Sequence, residues 1–133
     1  MTTTATEQIS AVSVINMLGE IVDGHEDFVY DTEAGCVYFD GEGAPSCLVG
    51  HVLAAYGYTA QLFTDNQVLM DGMMFGNGAR FEWVTQRIEL PFTRAAVRVL
   101  DYAQTQQDLR RTWGEAYSMA LAYFERLRES ESP

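Results

Sequence analysis

Ala44-Pro45-Ser46-Cys47-Leu48-Val49-Gly50-His51-Val52-Leu53-Ala54-Ala55-Tyr56-Gly57 is the run whose reading decides the fold. Pro45 suits the first turn of a helix, because its missing N–H would find no intrahelical partner there. Ser46 is the other candidate for the start, as a cap. Gly57 fits the left-handed position that closes many helices. Leu48, Val52, Leu53 and Tyr56 are bulky, whereas Cys47, Gly50 and Ala54 form a stripe of small side chains with His51 beside it. A glycine inside a helix costs about 1 kcal/mol relative to alanine. Close approach of another backbone is the compensation such a glycine permits, so this helix is expected at the centre of the fold.

The same helix carries the residues most able to do chemistry. Cys47 and His51 are four apart and share a face. Cys47 also lies in the first turn, where the helix dipole favours a thiolate. A Cys47–His51 pair for nucleophilic or metal-assisted hydrolysis is therefore conceivable. The plainer reading is a small buried thiol and a core histidine that donates to a carbonyl. His25, Cys36, Cys47 and His51 together offer four potential zinc ligands. No C-x-x-C knuckle accompanies them, so no metal or other cofactor is expected.

Charge is the strongest global feature. The chain of 133 residues has a formal net charge of −11 and contains no lysine. Residues 1–79 hold eleven acids and neither lysine nor arginine; residues 80–133 hold eight acids and eight arginines, the first being Arg80. All of the imbalance therefore lies in the earlier part. Such a surface repels nucleic acid and anionic membrane and attracts a basic protein. No apolar run is long enough to span a bilayer, and no basic-then-apolar leader opens the chain. A cytoplasmic location is expected, with Cys36 and Cys47 reduced.

In chain order, residues 1–6 read as a disordered tail, 7–128 as one globular domain, and 129–133 as a second tail. Thr4 and Glu7 offer a capping box for a first helix that runs to Val22, with Ile9, Val12, Ile15, Leu18, Ile21 and Val22 at helical steps. Phe28-Val29-Tyr30 and Cys36-Val37-Tyr38-Phe39 read as a small antiparallel hairpin. Asp31, Glu33, Asp40 and Glu42 lie in its turns, where they do not match a calcium loop. They are candidate surface contacts for a basic partner. Thr59 to Phe63 reads as one helical turn. Met70, Met73 and Met74 are candidate binding residues, since clustered methionines make adaptable surfaces; ordinary core filling is the alternative. Residues 80–85 read as an irregular loop with a short strand. Pro91 opens a helix with Phe92, Ala96, Val99, Leu100 and Ala103 on one face. Thr112 and Glu115 form a capping box for the last helix, and the short link makes these two helices an antiparallel pair.

The expected class is thus α+β and mainly helical, with about four principal helices and one small antiparallel β-hairpin. There is no P-loop, dinucleotide fingerprint, H-E-x-x-H or G-x-S-x-G.

Two segments carry a resemblance. Pro45-Ser46-Cys47-Leu48-Val49-Gly50-His51, following Phe28-Val29-Tyr30, is one. Ala103-Gln104-Thr105-Gln106-Gln107-Asp108 with Thr112-Trp113-Gly114-Glu115-Ala116 is the other. Across residues 25–120 the chain resembles small uncharacterised cytoplasmic proteins of actinobacteria and actinobacteriophages. Those relatives carry a glycine between the last two helices, where this chain has Leu109-Arg110-Arg111. The resemblance implies an accessory protein and supplies no activity or site residues. Composition and resemblance together lead to an expected function as a non-enzymatic, acidic protein-binding protein, in a specific form a phage product that mimics DNA charge toward a basic host protein. The competing readings are the Cys47/His51 hydrolase and a self-associating module, a homodimer built on Trp83 or the methionines.

Overall fold

The computed structural model describes residues 8–30, 37–40, 42–65 and 80–131. Among them are six helices: α1 (Ala11–Val22), α2 (Leu48–Ala55), α3 (Gln61–Asp65), α4 (Phe81–Thr85), α5 (Arg94–Asp108) and α6 (Trp113–Glu131). The central run is indeed buried: Leu48, Val49, Gly50, Val52 and Leu53 of α2 are all interior. A Cβ built on Gly50 would lie 2.0 Å from the Tyr38 carbonyl oxygen and 2.8 Å from its carbon. The glycine therefore serves the purpose its position implied, letting the backbone of residues 37–39 lie directly on the helix.

The helix starts later than Pro45. Cys47 is the cap, its sulfur accepting from the Gly50 N–H at 3.5 Å. Ser46 and Cys47 are still extended, donating their N–H groups to the carbonyls of Tyr38 and Val37 at 3.0 Å each. The end is as expected. Gly57 adopts φ +94, its N–H donates to Ala54, and the Tyr58 N–H reaches back to Leu53. These are the two bonds of a Schellman stop.

The expected β-hairpin is not present, and with it the α+β assignment falls; among the described residues there is no strand, only isolated bridges. The reason is competition for backbone partners. Val29 bridges Thr112 at the start of α6, and Phe39 bridges Pro45 before α2. What joins Tyr30 to Val37 is a side chain: the Tyr30 hydroxyl accepts from the Val37 N–H at 3.0 Å and donates to its carbonyl at 3.4 Å. Among the described residues of these two runs only Tyr30, Tyr38 and Phe39 are buried, and neither run pairs with the other.

Two helix boundaries also differ from the expected ones. Ser10, not Thr4, caps α1, accepting from the Ser13 N–H at 3.2 Å; Thr4 and Glu7 lie outside the described residues. Ile9 is held extended beside Phe92, its N–H donating to Pro91 and its carbonyl accepting from Thr93. At the other end α6 continues to Glu131, into the expected tail. Residues 81–85 are helical, with Phe81 and Val84, three apart, both buried.

α5 is the element on which the others converge, packing on α1, α2, α4 and α6. α5 and α6 form the expected antiparallel pair. Thr93 caps α5, accepting from the Ala96 N–H at 3.1 Å. The turn uses no glycine; Arg110 itself takes the left-handed conformation, φ 65. A Cβ in that region costs about 1 kcal/mol. Arg110→Gly is therefore expected to stabilise the protein by about 0.5–1 kcal/mol, read as a rise in thermal midpoint. An unchanged or lower midpoint would show that contacts of the arginine side chain outweigh the backbone cost.

The polar residues of α5 hold the ends of its neighbours. Gln107 accepts the Leu48 N–H, the first of α2, at 2.8 Å. Gln104 accepts the Phe81 N–H, the first of α4, at 2.8 Å and the Tyr38 hydroxyl at 3.3 Å. Asp101, buried rather than facing solvent, binds the exposed Arg80 guanidinium and accepts from the Glu82 N–H at 3.5 Å. Helices start with unpaired N–H groups; here α5 satisfies them from a distance.

Candidate functional site

Two cavities lie on either side of the turn between α1 and the first turn of α6. Nothing within the turn forms a regular element. Its backbone is fixed by α6, whose leading N–H groups need acceptors: Trp113 donates to the Phe28 carbonyl at 2.8 Å and Gly114 to the Glu26 carbonyl at 2.9 Å. A Cβ on Gly114 would come within 3.0 Å of that Glu26 oxygen, so the turn sits tightly against the helix start. Thr112 and Glu115 complete the expected capping box: the Thr112 N–H donates to Glu115 Oε1 at 2.9 Å and the Glu115 N–H to Thr112 Oγ1 at 3.1 Å.

The larger cavity is an open groove of about 910 Å³ between α1 and α6. Its walls carry Glu20, Asp23, Glu26, Asp27 and Glu115 and no lysine, arginine or histidine. Two of these carboxyls are held below the ordinary glutamate range. For Glu26 the cause is hydrogen bonding from its own backbone N–H and that of Gly24, aided by the nearby His25. For Glu115 it is the Thr112 backbone N–H first, then the Thr112 hydroxyl and the charge of Arg111. Both changes favour the ionised form.

The folded value of Glu115 lies below the unfolded one. Its contribution to stability is then present above the unfolded glutamate range and lost as pH falls through the folded value. A carboxyl titration followed by NMR should find Glu115 protonating below the ordinary glutamate range, and Thr112→Ala, which removes the hydroxyl, should move it upward. An unmoved Glu115 in that variant would mean that the Thr112 hydroxyl adds nothing and that the backbone N–H, which alanine keeps, sets its acidity.

The smaller cavity, about 310 Å³, is lined by Ile21, His25, Phe28, Ser46, His51 and Trp113. Phe28 and His51 each meet the Trp113 ring edge-on, with centroids 4.8 and 5.3 Å away. His51 is fixed from below by its Nδ1, 2.9 Å from the Cys47 carbonyl oxygen. A carbonyl only accepts, so Nδ1 carries the proton and Nε2 is the remaining nitrogen. Trp113 is 5% exposed, and its Nε1 is buried without a partner among the described residues.

Cys47 and His51 are adjacent, as their spacing implied, but the imidazole meets the Cys47 backbone rather than its sulfur. The thiol is wholly buried and lines neither cavity. His25 and His51 share the smaller cavity; Cys36 lies outside the described residues. Among the described residues no three His, Cys, Asp or Glu side chains converge in a way that could hold a metal ion. Of the acids singled out in the sequence, Asp40 and Glu42 are exposed in a tight turn, where Asp40 Oδ1 accepts from the N–H groups of Glu42 and Ala44 at 2.8 and 3.0 Å. They line neither cavity. Asp31, Glu33, Met70, Met73 and Met74 lie outside the described residues. Trp83, the candidate dimer contact, carries the Arg87 guanidinium 3.7 Å above its ring.

Sequence reasoning did not single out the groove acids. A signal existed in α1, where Asn16, Glu20 and Asp23 recur at three- and four-residue steps opposite the apolar stripe. Glu115 was read only as a cap; that it also faces Glu20 and Asp23 across a groove depends on how α6 packs on α1.

Fold and cavities define a small, mainly helical protein with an acidic groove beside an aromatic cleft. No family model, curated protein or solved structure matches this chain. No helix among the described residues is long and apolar enough to cross a membrane.

Proposed function

We propose that this is a non-enzymatic binding protein of the cytoplasm that engages a basic protein partner through the groove between α1 and α6. The observation that carries this reading is the gathering of five carboxylates on one open groove without a basic side chain among its lining residues. The lowered acidity ranges of Glu26 and Glu115 support it, because those charges persist under mildly acidic conditions. A groove lined by one sign of charge steers an oppositely charged partner and speeds its association. A phage or actinobacterial accessory protein that presents DNA-like charge to a host DNA-binding protein is the specific form. The Cys47/His51 hydrolase gains no support, since its nucleophile is enclosed and its imidazole is engaged with a carbonyl.

The test is affinity capture from an actinobacterial lysate, washed at low and high salt, with wild-type protein and a Glu20→Gln, Asp23→Asn, Glu26→Gln variant. A partner held at low salt should be released at high salt and should fail to bind the variant. A partner retained equally by the variant would overturn the groove as the site. One retained unchanged at high salt would overturn the charge-mimic form.

A further inference from the structure

The groove and the cleft share one wall. In the turn that follows α1, Glu26 and Asp27 face the groove while their neighbours His25 and Phe28 face the cleft. At the start of α6 the same alternation holds, with Trp113 in the cleft and Gly114 in the groove. Negative charge and an aromatic-walled hollow therefore lie one residue apart along the chain. Phe28, at the crest between them, is 48% exposed, and the adjacent Val29 is 40% exposed.

We propose that the two cavities form one bipartite site for a basic peptide segment that carries an apolar anchor side chain among its arginines or lysines. The proposal rests on the charge reading of the groove and adds what the partner must contain. The cations lie along Glu20, Asp23, Glu26 and Asp27. The anchor crosses the Phe28 crest and enters the cleft against the Trp113 indole. Charge complementarity fixes the sign of the segment, and the cleft fixes the side chain. A hollow of about 310 Å³ walled by Ile21, Phe28 and Trp113 has room for a phenylalanine or leucine side chain and offers it apolar and aromatic surface. The arrangement also separates tasks: the carboxylates set encounter rate and salt dependence, and the buried anchor sets residence time.

The probes are two synthetic pentapeptides, four arginines around a central phenylalanine and the same peptide with a central serine. Binding is measured by calorimetry at low salt, and by fluorescence of the Trp83→Phe variant, in which Trp113 is the remaining indole. The phenylalanine peptide is expected to bind about tenfold more tightly and to change Trp113 emission; the serine peptide should bind without changing it. Phe28→Ser should remove the tenfold difference between the two peptides, and His25→Ala, at an exposed position, gives a second variant of the cleft wall if Phe28→Ser proves unstable. Asp27→Asn with Glu26→Gln should weaken both peptides. Equal affinity of the two peptides, or an unresponsive Trp113, would overturn the bipartite site and leave the charge reading standing. Failure of both peptides to bind would overturn both.

Discussion

Gly50→Ala should destabilise the protein by about 3 kcal/mol or more. Alanine is the better helix former by about 1 kcal/mol, so propensity alone predicts the opposite sign. What decides is the 2.0 Å separation between the new Cβ and the Tyr38 carbonyl oxygen. Both groups are backbone-anchored, and neither can rotate away. The 37–39 segment would have to lift from α2 by more than an ångström. That movement strains the Ser46 and Cys47 hydrogen bonds to the same segment and opens the layer containing the buried Tyr38 and Phe39. A thermal midpoint lower by about 10 °C is expected for a domain of this size. Gly19→Ala is the control. It too is a helical glycine, but its Cβ would meet the tip of the Tyr117 side chain at 3.1 Å. A tip can move, so that change should stay within about 1 kcal/mol of wild type. Equal stability of the two variants would show that α2 does not lie against the Tyr38 backbone.

Gln104→Leu is the second large effect, with an expected cost of about 2–3 kcal/mol. Leucine has similar volume, so little cavity is created. The loss is electrostatic. Gln104 Oε1 accepts the buried Phe81 N–H at 2.8 Å and the Tyr38 hydroxyl at 3.3 Å, and leucine accepts neither. Leaving a buried N–H without an acceptor forfeits its hydration with nothing in return. The effect should be local as well as global. Amide hydrogen exchange should accelerate across α4, whose start Gln104 holds, well beyond any change in α1. Uniform acceleration in all helices would show that Gln104 stabilises the core generally and does not anchor α4.

These two sites show how far the sequence could be read. Gly50 announced itself, because an interior helical glycine needs a reason and a neighbouring backbone is the usual one. Gln104 and Gln107 did not. They fall at helical steps from Ala96 and Leu100, on the apolar face, and so were polar residues at core positions. That is a signal that they bind something buried. What they bind, the first N–H of α4 and of α2, lies 23 and 59 residues away. No local pattern carries such a pairing. The burial of Asp101 was equally illegible, since its partners Arg80 and the Glu82 N–H lie at the start of α4, about twenty residues earlier in the chain. The hairpin failed differently. Short aromatic, β-branched runs report a preference for extended, half-buried backbone, but each of these runs bridges to the residues that lead into a helix, Val29 to Thr112 and Phe39 to Pro45.

By itself the sequence determined the long helices, the capping box at Thr112, the stop at Gly57, the need for close packing at Gly50 and the sign of the charge. All of these depend on residues within a few positions of one another, or on composition. Only the tertiary structure decided which acids face the groove, that His25 and His51 share a cleft with Trp113, and that the Cys47 thiol turns inward away from that histidine. Those outcomes depend on the angle at which α6 meets α1 and on the turn pinned beneath it. That geometry emerges from the packing of whole helices, where many small contacts compete and no single spacing along the chain records the result.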